Sequence, residues 1–172
     1  MPSNVTCTVK KVALDGEAVE AAIAGDSAEL ILTDIEPTFV NAGGVLSSPR
    51  NIAPVVRRVR ARVTTLPSLR VPIVPGRQFT LHGHAALGVP AHVTKLVRLG
   101  TKKAGEAAGA KPKRPRAIGR RKTAVVEIEV GADSSRGAIC ADTFANNRSL
   151  GRFLLRERGV TVAAGAILKV LE

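Results

Sequence analysis

Short runs of Val, Ile, Leu and Ala alternate with polar residues along the chain. Turn-forming Gly, Pro, Asp and Ser separate them at roughly 8 to 12 residue intervals, the spacing of an all-β sandwich or barrel. Over residues 5–9, Val5, Cys7 and Val9 alternate with Thr6 and Thr8, the period of two that a half-buried strand requires. Val12 and Leu14 continue on the opposite parity, which predicts a bulge near Lys10 and Lys11, and Asp15-Gly16 predicts a hairpin turn. Gly25-Asp26 opens a second run over residues 28–35 that Pro37 ends, because proline donates nothing to a sheet ladder. A third run spans residues 44–46 and is closed by Ser47-Ser48-Pro49.

Residues 55–63 predict a strand with Val55, Arg57, Val59, Ala61 and Val63 on one face. Val56, Arg58, Arg60 and Arg62 take the other, which makes that face rich in arginine. Pro67, Pro72 and Pro75-Gly76 break the chain before strands over 78–84 and 91–99. The cleanest alternation is 123–130, with Ala124, Val126, Ile128 and Val130 inward and Thr123, Val125, Glu127 and Glu129 outward. Further runs at 138–143, 153–155 and 160–171 follow. No segment sustains a 3.6-residue period, so the expected fold is all-β, with little helix.

Composition adds a core and a charge asymmetry. Hydrophobic residues make up 45% of the 172, yet aromatic residues only 2%, with four Phe and no Trp or Tyr. The core is therefore aliphatic, and recognition by base stacking, which needs aromatic platforms, is disfavoured. The net charge of +12 points to a polyanion as neighbour. Residues 1–36 hold two basic and seven acidic side chains, 37–94 seven and none, 95–122 eleven and one, and 123–172 six of each. The excess thus peaks in a Gly, Ala, Pro, Lys and Arg segment, residues 100–122, that reads as a long solvated loop or a β-ribbon tip. Its Lys102, Lys103, Lys111, Lys113, Arg114, Arg116, Arg120, Arg121 and Lys122 are candidates for phosphate contacts that neutralise RNA without reading its sequence.

The two cysteines, Cys7 and Cys140, follow no paired framework, which suits a reducing compartment. No run of about 18 apolar residues and no basic-then-apolar leader occurs, so a cytoplasmic protein with no membrane partner is expected. His82 and His84 share a strand face and His92 follows, but no Cys, Asp or Glu lies between residues 37 and 94 to complete a metal site. Without a GxSxG elbow, Ser, His and Asp supply no candidate for catalysis.

Three segments in order carry a resemblance: Ile139-Cys140-Ala141-Asp142-Thr143-Phe144, Leu150-Gly151-Arg152-Phe153-Leu154-Leu155-Arg156, and Thr161-Val162-Ala163-Ala164-Gly165. They resemble the last β-barrel of elongation factor one-alpha and its relatives. Upstream, Pro75-Gly76, residues 79–84, Lys102-Lys103-Ala104-Gly105-Glu106 and Lys113-Arg114-Pro115-Arg116 resemble earlier strands and the connecting loop of that barrel. Ala24-Gly25-Asp26-Ser27-Ala28-Glu29-Leu30 resembles the later part of the middle barrel. Within the superfamily, Ala124-Val125-Val126-Glu127-Ile128-Glu129 and Ala163-Ala164-Gly165 favour the HBS-one-like ribosome-rescue GTPase that works with Pelota. Ile167-Leu168-Lys169-Val170 resembles the ending of eukaryotic release factor three.

The resemblance implies two small antiparallel β-barrels in tandem: a partial middle barrel over residues 1–54 and a complete carboxy-terminal barrel over residues 55–172. It also implies a non-catalytic role in ribosome rescue and mRNA surveillance, holding a tRNA-mimicking, Pelota-like partner, or release factor one, and touching ribosomal RNA on the ribosome. Gly151, Arg152, Phe153 and Arg156 fall in the segment that faces the partner, although Phe153, a scarce aromatic, also suits a core. The chain contains no Gly-Lys dipeptide, NKxD or DxxG motif, so it lacks the phosphate-cradling machinery of the family's GTPase domain. No cofactor is therefore expected on it, with GTP and magnesium requiring a GTPase domain upstream, and a monomer is expected. A small basic ribosomal or RNA-binding protein is the alternative of another class.

Overall fold

The computed structural model describes residues 5–100, 115–131 and 137–171, and these divide into two compact units at the Ala42/Gly43 junction. Among the described residues the only helical element is a single 3-10 turn, Pro37–Phe39.

The first unit is a three-stranded antiparallel sheet in the order β2-β1-β3, built from β1 (Thr8–Leu14), β2 (Glu17–Val19) and β3 (Ala28–Thr33). The parity change expected at Lys10 is real: the β1/β3 register shifts between Val9 and Lys11. Asp15 and Gly16 turn β1 into β2 with φ of 48° and 87°, the left-handed pair that a two-residue hairpin needs. Val9, Leu30 and Ile31 remain exposed on this small sheet.

The second unit is organised by a closed six-stranded antiparallel barrel with the order β10-β11-β5-β8-β7-β6. Its strands are β5 (Arg58–Thr65), β6 (Gln78–Gly83), β7 (Ala86–Leu99), β8 (Thr123–Val130), β10 (Arg152–Glu157) and β11 (Val160–Val170). Pairing of β6 with β10 completes the ring. A two-stranded pair, β4 (Val55–Val56) with β9 (Ile139–Cys140), lies outside the ring pairing.

Alternation directs Val59, Ala61 and Val63 of β5, Phe79 and Leu81 of β6, and Ala124, Val126, Ile128 and Val130 of β8 into one aliphatic core. Loop residues complete it. Leu69, Ile73 and Ile118 are fully buried, and Ile73 and Ile118 exchange two backbone hydrogen bonds of 2.9 Å. Each such side chain contributes about 1.5–3 kcal/mol on leaving water. Ile118 thus turns the end of the basic segment, read from sequence as solvated, into part of the core; the stretch 101–114 lies outside the described residues.

Four sequence expectations are corrected. Residues 44–46 form no strand. The strand expected over 55–63 is two strands: β4 pairs with β9, β5 enters the barrel, and Arg57 between them breaks the parity. Val56 is therefore buried while Val55 is exposed. Strand β7 begins at Ala86, not at 91, because Gly88 adopts φ 70° beside a register shift, and Pro90 tolerates a position where it donates no hydrogen bond. The outward face of β8 is not uniformly solvated, since Val125 and Glu127 are only 3% and 6% exposed.

Arg77 clips the 66–77 segment to the barrel. Its Nη2 donates to both Glu157 carboxylate oxygens at 2.6 and 2.8 Å, its Nη1 donates to the carbonyls of Val71 and Pro72, and its guanidinium lies 5.5 Å from the Phe79 ring centre. Replacing Arg77 by Ala should cost about 2 kcal/mol, the usual worth of charge-assisted hydrogen bonds lost from a largely buried group. Urea unfolding measures this, and Arg77→Lys should recover only part, since lysine cannot span both the carboxylate and the carbonyls. On β11, a Cβ added at Gly165 would lie 2.3 Å from Cζ of Phe153. Gly165→Ala should therefore destabilise by about 1–3 kcal/mol through overpacking. Combining it with Phe153→Leu should give less than the sum of the two single losses.

Candidate partner and RNA interface

The 142–151 loop is built from short polar side chains that bond to their own backbone. Asp142 Oδ1 accepts from the Thr143 amide at 2.6 Å and from Asn146 Nδ2 at 3.3 Å. Asn147 Oδ1 accepts from the amides of Ser149 and Leu150, at 3.0 and 3.1 Å. Two backbone bonds then fix the loop to β11: Phe144 N–H to the Ile167 carbonyl at 2.9 Å, and Ile167 N–H to the Gly151 carbonyl at 2.8 Å. At Gly151 an added Cβ would lie 2.4 Å from the Phe144 Cα and 2.8 Å from the Asn147 carbonyl oxygen, so only glycine fits. The result is a rigid seat immediately before β10.

Arg152 leaves this seat into solvent with its guanidinium 5.1 Å from the Phe144 ring centre. Among the described residues it has no ion-pair or hydrogen-bond partner, so its donor fork is available for a bidentate carboxylate or phosphate. The ring contact, worth about 0.5–1 kcal/mol at an exposed site, narrows the directions the fork samples. Beside Arg152 lies a shallow, mostly apolar depression lined by residues that include His84, Ala86, Cys140 and Phe153. Burial first, and the nearby Asp142 carboxylate second, push the Cys140 thiol pKa up, which disfavours the reactive thiolate.

The other three candidates of this segment have different placements. Gly151 shapes the backbone. Phe153 points into the barrel at 4% exposure, packed against Gly165, and is a core residue rather than a surface for a partner. Arg156 is half-buried and donates to the carbonyl of Gly159, tying the β10/β11 turn together. Phe144 and Asp142 entered the sequence reading only within the resemblance, and neither the ring contact with Arg152 nor the Asx bonds of Asp142 and Asn147 were anticipated. Their one signal was the clustering of Asp, Thr and two Asn, which favour such local turns.

Of the basic candidates, Lys102, Lys103, Lys111, Lys113 and Arg114 lie outside the described residues. Arg116, Arg121 and Lys122 are exposed, and Arg120 donates from Nε to the Leu69 carbonyl at 2.6 Å. The backbone beneath them is held firmly. Thr65 Oγ1 accepts from the Lys122 amide at 2.9 Å and donates to the Gly119 carbonyl at 2.7 Å. The three histidines do not converge: His92 is in register with Gln78, four residues along β6 from His82, and its Nε2 instead lies 3.8 Å from Glu129. Among the described residues no helix is long and apolar enough to cross a membrane.

Comparison with known proteins agrees with this architecture. The chain is 33% identical to Protein HBS1 of Drosophila melanogaster, over 98% of this chain and 24% of that protein. It is 28% identical to the eukaryotic peptide chain release factor GTP-binding subunit of Zygosaccharomyces rouxii, over 100% of this chain and 25% of that protein. Elongation factor 1-alpha of Pyrobaculum aerophilum is 33% identical over 88% of this chain and 32% of that protein. A crystal structure of Sup35 complexed with GDP superposes with a TM-score of 0.82 at 26% identity, covering all of this chain and 40% of that one. The chain thus spans about a quarter of the length of the first two relatives. Residues 58–168, which hold the Arg152 seat and the closed barrel except the last two residues of β11, match the family described as GTP-eEF1A C-terminal domain-like, and the chain belongs to that family.

Proposed function

We propose that this chain is a non-catalytic binding module of a translational GTPase, holding a tRNA-mimicking, Pelota-like protein beside the ribosome during ribosome rescue in the cytoplasm. The observation that carries the reading is the exposed Arg152 fork, positioned over Phe144 by a loop that admits no side chain at Gly151. A guanidinium held this way loses little freedom on binding, so more of its interaction survives as affinity. The likeness to Protein HBS1 over nearly the whole chain supports the rescue reading. Arg116, Arg121 and Lys122, with the basic residues of 102–114, supply the ribosomal RNA contact.

A second reading has one specific support. The likeness to the release factor GTP-binding subunit and to Sup35 also spans the whole chain, which suits a termination role with release factor one as partner. Both readings use the same face of the barrel. They differ only in the protein that occupies it.

Arg152→Ala should weaken the complex with a Pelota-like protein by about 2–5 kcal/mol, the cost of leaving a desolvated partner carboxylate unpaired. Calorimetric titration against Pelota-like protein and release factor one measures this. The melting temperature should fall by no more than a few degrees, because the exposed side chain gives up only its contact of about 0.5–1 kcal/mol with the Phe144 ring. Arg152→Lys keeps the charge but loses the planar fork, and binding should still fall. Wild-type affinity in a folded Arg152→Ala protein would remove this residue from the interface. In a separate titration, guanine nucleotides should bind the chain with a dissociation constant no tighter than about 1 mM, since every phosphate-binding motif of the GTPase is missing from it.

A further inference from the structure

Strand register arranges cations in rows across the outer surface of the barrel. One row runs Ala166, Arg62, Val125 and Arg98 across β11, β5, β8 and β7. The next runs Lys169, Arg60, Glu127 and Lys95 across the same four strands. Neighbouring strands lie about 4.8 Å apart, so Arg62 and Arg98 flank Val125 at a separation of about 10 Å between their backbones. Val125 faces outward by alternation yet is 3% exposed, as expected if the aliphatic stems of long cations lie over it while their charged heads reach water.

The carboxylates on this face do not balance it. Glu127 is 6% exposed and accepts from Arg60 Nη2 at 2.8 Å, and Glu129 faces His92 at 3.8 Å. The side chains of Arg62, Lys95, Arg98 and Lys169 have neither an ion pair nor a hydrogen bond among the described residues. Lys169 stands directly opposite Arg60 in register, a like-charge juxtaposition that destabilises a sheet. A merely solvated face would intersperse the two signs. In the two rows through Val125 and Glu127 the one carboxylate is buried and paired, so these rows keep a single sign at the water surface despite that cost, and Glu129 lies at their margin beside His92.

The chemistry of the face also selects its occupant. Strands β5, β7, β8 and β11 contain no Phe, Tyr or Trp. Protein interfaces are enriched in aromatic anchors and depleted in Lys, and base recognition in single strands needs stacking platforms. What two Arg and two Lys without aromatic neighbours suit is a chain of phosphates. We propose that the outer face of β5, β7, β8 and β11, centred on Arg62, Lys95, Arg98 and Lys169, is a docking surface for the backbone phosphates of folded RNA. It is distinct from the 102–122 segment and does not depend on the identity of the protein partner.

The test uses the full chain and a fluorescein-labelled RNA duplex, with anisotropy titrations at rising salt. A variant carrying Arg62→Gln, Lys95→Gln, Arg98→Gln and Lys169→Gln leaves Arg60, Glu127 and residues 102–122 intact, so this surface and the basic segment fail separately. Each phosphate contact contributes about 0.9 or less to the slope of log affinity against log salt. The fourfold variant should therefore flatten the slope by about 2 or more. An unchanged slope in a variant that melts like the wild type overturns the proposal. Displacement of the duplex from the wild-type protein by polyglutamate at equal charge concentration also overturns it, assigning the face to an acidic protein. If the fourfold variant does not fold, the pairs Arg62→Gln with Arg98→Gln and Lys95→Gln with Lys169→Gln replace it. Each pair should then flatten the slope by about 1 or more, and unchanged slopes in both overturn the proposal.

Discussion

Pairing of β6 with β10 closes the sheet, and that closure sets the terms for the rest of the barrel. With no free edge in the ring, every strand has two neighbours, and the interior must be filled by side chains of fixed aggregate size. The sequence supplies mostly Val, Ile, Leu and Ala, with Phe79 and Phe153 as the only aromatic residues among the buried core. Phe153 fits because Gly165 on the neighbouring strand leaves its ring room, with the space for a Cβ already occupied. Closure also fixes register, and register decides which charges meet on the outside.

The candidate partner site is a consequence of the same register. Phe153 is driven inward, so Arg152 before it on β10 must face out. The preceding loop is held to β11 through Phe144 and Gly151, and its polar side chains bond locally, so the direction of the arginine is set by packing and backbone bonds. A site of this kind resists changes elsewhere on the surface but should be sensitive to any side chain larger than hydrogen at Gly151.

Much of the fold was legible in the sequence because one face of each strand had to be apolar. The bulge after Val9, the Asp15-Gly16 hairpin and the inward face of β8 all followed from period-two alternation and turn chemistry. What was not legible depended on tertiary neighbours. Arg57 ends one strand pairing and begins another, which only the presence of β9 decides. Pro90 and Gly88 look like strand breakers locally, yet a register shift accommodates them within β7. Ile118 is the one large apolar side chain in a basic stretch, and its partner Ile73 is distant in sequence. At the candidate site, the scarcity of aromatic residues already suggested a core place for Phe153, whereas the half-buried position of Arg156 and its bond to the Gly159 carbonyl depend on the β10/β11 turn.

The 142–151 seat and Arg152 are the surface proposed here for a tRNA-mimicking protein. Hydrogen exchange of the chain with and without a saturating Pelota-like protein addresses it directly, because local amide protection reports which segments the partner covers or stiffens. Added protection is expected across residues 142–152 and the adjacent edge around His84, with the amides of the first three-stranded sheet unchanged. Saturable binding with no added protection in 142–152 would contradict that assignment.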